Sequence, residues 1–225
     1  MRKSLFVVAL VAGVMPCSAN GDVVATFTYN SLAGSYSGSG GVGTFTALAA
    51  NVPGLRSSGN VSRLVPVGGT SLFQAGFVAG VDPANFAVTV SVNVDGAEHA
   101  TGAGSFTITD ADGDTITGSI AGDWTKNGNF LVLNGILSGV SINDNGSQDG
   151  MFNGTSADST DWALNIPGGP NFDGALVSMI FSGTDFFVSN FSNRTTNITA
   201  QLIPAPGVAL LFGLGTIVAG VRRRS

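Results

Sequence analysis

Residues Asn85–Val94 read NFAVTVSVNV and alternate without a break. Phe86, Val88, Val90, Val92 and Val94 fall on one side; Thr89, Ser91 and Asn93 fall on the other, with the small Ala87 among them. A strict period of two over such a length fits a strand with one buried face and does not fit a helix. The pattern recurs along the chain. Val23–Asn30 puts Phe27 and Tyr29 together, and Gly43–Leu48 reads GTFTAL. In SFTITDADGDTITGSI, Phe106 and Ile108 alternate before Asp112-Gly113, and Ile116 and Ile120 alternate after it. Asp-Gly is a hairpin signal, because a type I′ turn needs positive φ at both central residues.

Further strands are expected at 130–134, 136–142, 161–165, 175–181, 184–192 and 195–203, with a turn at Ser192-Asn193-Arg194. The Gly/Ser/Asn-rich stretches 31–43, 51–62 and 143–160 read as loops. No segment between the two ends of the chain shows a helical period with caps. Ten to thirteen short strands at regular spacing predict an all-β protein: a single β-sandwich, with a closed β-barrel as the alternative.

Both ends read as addresses. Arg2 and Lys3 precede the apolar run 5–15, Pro16 breaks it, and Cys17-Ser18-Ala19 supplies small residues for cleavage after Ala19. This is the layout of a signal peptide over residues 1–19, to be removed by signal peptidase. At the other end Pro204-Ala205-Pro206 precedes the apolar segment 208–221, and Arg222, Arg223 and Arg224 follow. As a helix, 208–221 would be roughly 21 Å long, short of a hydrocarbon core of about 30 Å. Clustered arginines stay cytoplasmic and act as a stop.

This C-terminal segment resembles the PEP-CTERM sorting signal of Gram-negative bacteria. The likeness covers residues 203–225 only. It implies transient anchoring in the inner membrane and processing by an exosortase-like transpeptidase. One position departs from the family pattern: Ala205 stands where the family has Glu.

Residues 20–203 are left as one extracellular β-rich domain. All 14 acidic residues lie there, against four basic ones, Arg56, Arg63, Lys126 and Arg194, so the domain is near −10. Too few cations are present to neutralise phosphates, which argues against nucleic acid. The one cysteine, Cys17, falls in the signal, so the domain has no disulfide and its stability rests on packing.

Candidates for chemistry are few. Asp110, Asp112 and Asp114 form D-x-D-x-D, a set of oxygens suited to calcium, but the EF-hand spacing is absent: glycine comes fourth and Ala121 stands at position twelve. A plain hairpin explains the same residues. The loop 143–149 is a second oxygen-rich stretch. His99 is the only histidine and Glu98 the only glutamate, and the segment around them reads as a loop. No nucleophile elbow, metal-binding His pair or phosphate loop occurs. Trp162 reads as core, whereas Trp124, at a strand end, reads as an exposed ring that could bind sugar. The expectation is an exported, non-enzymatic surface or matrix protein, with a carbohydrate- or polymer-binding domain acting on extracellular polysaccharide as the alternative.

Overall fold

The computed structural model describes residue 23 and residues 25–63, 70–73, 86–110, 113–143, 151–152, 162–163, 175–183 and 185–203. The expectations for the signal and its cleavage at Ala19, for Asp112, and for the whole tail from Pro204 lie outside these residues.

The strands, in chain order, are β1 (Ala25–Ser39), β2 (Val42–Leu48), β3 (Asn51–Val52), β4 (Leu55–Arg56), β5 (Ser58–Arg63), β6 (Thr70–Phe73), β7 (Phe86–Val94), β8 (His99–Thr109), β9 (Thr115–Asn127), β10 (Phe130–Asn143), β11 (Met151–Phe152), β12 (Trp162–Ala163), β13 (Ala175–Ser182) and β14 (Phe191–Leu202). Eight of them close into an antiparallel barrel in the order β1-β2-β7-β8-β9-β10-β13-β14, and β14 returns to pair with β1. The sandwich expectation is therefore corrected and the barrel alternative holds. A sandwich needs two sheets, whereas here one sheet meets itself through Ala25↔Leu202 to Tyr36↔Phe191. Closure gives each of the eight wall strands a strand neighbour on both sides.

Two insertions depart from this meander. β3 to β6 lie between β2 and β7, and β5 pairs with the first half of β1 from Ala25↔Arg63 to Asn30↔Ser58. β11 and β12 pair with each other between β10 and β13, where Trp162 lies opposite Phe152.

Several expected loops are strand. The segment 31–39 is the second half of β1, paired to β2 from Ala33↔Leu48 to Ser39↔Val42. Its glycines suggested a loop, but they make room for rings: a Cβ on Gly38 or Gly43 would lie within 2.6 Å of Tyr36. The expected turn at Ser192-Asn193-Arg194 is also strand. Asn193 takes φ 55° as an irregularity within β14. The 184–192 strand is absent as such: residues 185–189 form a chain of bends, and β14 begins at Phe191.

Inward positions fill the barrel. β7 contributes Phe86, Val88, Val90 and Val92, as its alternation predicts, and β8 and β9 contribute Phe106, Ile108, Ile116 and Ile120. The outer wall is hydroxylated. One continuous cross-strand row runs Ser35, Thr46, Thr89, Ser105, Ser119 and Ser138 over six strands. On the neighbouring row Thr117 Oγ1 lies 3.1 Å from Ser141 Oγ. An apolar interior inside a hydroxyl-rich wall suits water; a membrane-spanning barrel turns its apolar band outward.

Candidate functional site

The register sorts the molecule into two poles. Ala25 pairs with Leu202, so the barrel's chain begins and ends at one pole, which also carries the β8–β9 turn. The opposite pole carries the β1–β2, β7–β8 and β9–β10 turns and the β13–β14 segment. The described side chains with chemistry are divided between these poles.

At the pole of the chain ends, Asp110 and Asp114 are both buried. Asp110 Oδ1 accepts hydrogen bonds from the backbone N–H of Gly113 at 2.9 Å and of Asp114 at 2.7 Å. Asp110 N–H donates to the Asp114 carbonyl at 3.0 Å, and Thr109 pairs with Thr115. The hairpin expected around this point is present, and a carboxylate caps it from the β8 side. Among the described residues no three His, Cys, Asp or Glu side chains gather as a metal site. Asp110→Ala would leave the N–H groups of Gly113 and Asp114, one partly and one fully buried, without their acceptor, at an expected cost of about 2 kcal/mol. Urea denaturation measures this; a cost within about 0.5 kcal/mol, as for a surface change, would refute the capping role.

At the opposite pole His99 opens β8 rather than lying in a loop. Its Nδ1 is hydrogen-bonded to Asp95, and its Nε2 faces Asp123 at 3.7 Å. Both ring nitrogens thus meet carboxylates, and neither is set against a hydroxyl as a catalytic base would be. Glu98 turns the other way and pairs with Lys126 at 3.4 Å. The hydrogen bond that His99 donates to the Asp95 carboxylate is the main cause that raises the His99 pKa above its ordinary value; charge from Asp95 and Asp123 adds to it, and desolvation opposes it. A raised native pKa means that this contribution to stability is complete below the unfolded histidine value of about 6.5. It is lost as pH rises through the native pKa. NMR titration of His99 should show the raised midpoint, and Asp95→Asn should move it back down; an unmoved midpoint would deny the pairing.

Trp124 requires a correction. The ring expected on the surface is fully buried. It shares the inward side of β9 with Ile116 and Ile120, and this parity decides its place. It packs edge-on to Phe45 at 5.1 Å, Phe181 at 5.9 Å and Phe187 at 5.2 Å. Gly102 leaves it space: a Cβ there would stand 2.7 Å from Trp124 Nε1. A large ring that faces outward is Phe130, 50% exposed. It borders a shallow groove of about 220 Å³ on the outer wall, with Ile180, Ser182, Thr195 and Asn197. Phe130 is not among the residues singled out from the sequence, although it opens β10 out of phase with the inward Leu131 and Leu133.

The aromatic cluster is sealed by the β13–β14 segment. Phe186 and Phe187 of that segment are buried, and Val188 beside them is 84% exposed. Phe187 takes φ 52°, a region a bulky side chain adopts only under constraint. Comparison with protein-family models, with characterised proteins and with solved structures finds no match to this chain.

Proposed function

We propose that this chain is an exported, non-enzymatic β-barrel protein of the cell surface or extracellular matrix. Signal peptidase removes residues 1–19, and an exosortase-like transpeptidase reads Pro204-Ala205-Pro206 while the 208–221 helix holds the precursor in the membrane. The observation that carries this reading is the boundary. β14 ends at Leu202, and the sorting motif begins at Pro204. Cleavage there would release a closed barrel with every wall strand intact. The hydroxyl-rich outer wall supports the same reading, since it suits a domain delivered to water. Both ends of the barrel's chain leave from one pole, so a precursor held by its tail would present the His99 pole away from the membrane.

Intact-mass measurement of the surface-exposed form tests the proposal. The expected mass lacks residues 1–19 and 208–225. A mass that still contains Val208–Ser225 would make the tail an ordinary anchor and overturn the sorting step. Replacing Arg222, Arg223 and Arg224 with serine should remove the stop and let unprocessed precursor leave the membrane.

A further inference from the structure

Among the described residues, Tyr36 Oη and Trp124 Nε1 are buried donors inside the barrel with no hydrogen-bond partner. Buried polar groups without partners are uncommon and call for an explanation. Both belong to rings that pack on Phe187, Tyr36 at 4.9 Å and Trp124 at 5.2 Å between centroids. Burial also raises the Tyr36 pKa, so the phenol stays protonated and able to donate. The side chain between these two rings belongs to a residue with φ 52°. An outlier of this kind in a bulky residue is held by its surroundings, and such positions gather at ligand clamps and switch regions.

The segment that carries Phe187 is lightly tied. Gly183 N–H donates to the Asn129 carbonyl at 2.8 Å at one end, and Gly38 N–H donates to Asn190 Oδ1 at 2.8 Å at the other. Between them Phe187 N–H bonds only locally, to the Asp185 carbonyl at 2.9 Å. The Tyr36 hydroxyl lies beside this second tie: a Cβ on Gly38 would be 2.2 Å from it.

We infer that residues 185–190 form a displaceable plug, and that the space held by the Phe187 ring is a binding site for a small planar aromatic molecule bearing a hydrogen-bond acceptor. The ring of the ligand replaces the ring of Phe187 against Tyr36, Trp124 and Phe181. Its acceptor meets a donor that the plugged form leaves unmet. Withdrawal of Phe187 also releases its constrained backbone. Eight-stranded barrels have an interior of the size that holds one small ligand, and a pocket of this kind is a minor conformation that the ligand makes dominant. The ligand is neutral, because the cluster offers two neutral donors. The nearby cation, Arg194, is already engaged over Phe191 at 4.2 Å and with the Ser182 carbonyl.

The probe is para-fluoroacetophenone, a single ring with one carbonyl acceptor, followed by its fluorine resonance in the presence of the wild-type barrel. Binding at low-millimolar probe is expected. Tyr36→Phe or Trp124→Phe should weaken it about five- to ten-fold, the loss of one buried hydrogen bond. Phe187→Gly, which accepts positive φ and removes the plugging ring, should tighten it by a similar factor. Phe130→Ser, on the outer groove, should change nothing. Hydrogen exchange at the amides of 186–189 supplies a readout that does not depend on Phe187→Gly folding: exchange faster than in the flanking strands, altered when the probe is added. No binding to wild type, or binding unaffected by both donor variants, would overturn the proposal. Binding abolished by Phe130→Ser would overturn it in favour of the outer groove.

Discussion

Trp124→Ala should cost about 3–5 kcal/mol, the range for removing a large aromatic from a packed core. That is a large share of the roughly 5–15 kcal/mol that holds a domain folded. The ring meets Phe45, Phe181 and Phe187, which come from β2, β13 and the plug, so one deletion removes contacts between distant parts of the barrel. Phe45 and Phe181 stack on each other at 4.8 Å with planes 12° apart, and Trp124 lies edge-on to both. Partial collapse into the void is limited because the neighbouring rings are already set against one another. Trp124→Phe keeps most of the apolar contact and deletes the unpartnered N–H, so it should cost much less than the alanine change. Urea unfolding followed by circular dichroism gives both values. If Trp124→Ala stayed within about 0.5 kcal/mol, as surface changes do, the ring would have to lie outside, where the sequence first suggested.

The parity of Trp124 was readable. In TITGSIAGDW the inward phase Ile116, Ile120, Trp124 is regular once Gly118 and Gly122 are counted as inward positions without side chains. The ring was misplaced because a strand end was equated with exposure. Glycines of another kind make 31–43 look like a loop. Composition there resembles a loop, while the role of Gly34, Gly38 and Gly43 is to give Tyr36 and Phe45 room, which appears only when β1 and β2 are side by side. Closure was less legible still. The β7 alternation and the Phe106–Ile120 hairpin are local and were read correctly. By contrast, Ala25↔Leu202 joins the two ends of the domain, and no local pattern distinguishes a sheet that closes from two sheets that stack. The His99 arrangement depends on both kinds of information. Asp95 reaches it across a short turn, but Asp123 comes from β9, beside β8, and needs the register to be known.

Gly104→Ala should be among the most damaging small substitutions in this protein. A methyl at that position would stand 1.8 Å from the Thr89 carbonyl oxygen, 2.7 Å from its carbon and 2.8 Å from Val90 Cα. All three are backbone atoms of β7, so no side chain can rotate away; two strands of the wall must separate. Overpacking that side chains can absorb costs about 1–3 kcal/mol, and a clash with backbone belongs at or above the top of that range. Gly128→Ala is the matched control. Gly128 has φ 60° in the β9–β10 turn and nothing within 4 Å of a built Cβ, so only conformational strain opposes it. That strain is about 1–2 kcal/mol for an alanine in the left-handed region. Thermal and urea unfolding of the two variants should therefore rank Gly104→Ala as clearly less stable than Gly128→Ala. Equal losses would mean that β7 and β8 do not approach so closely at Gly104.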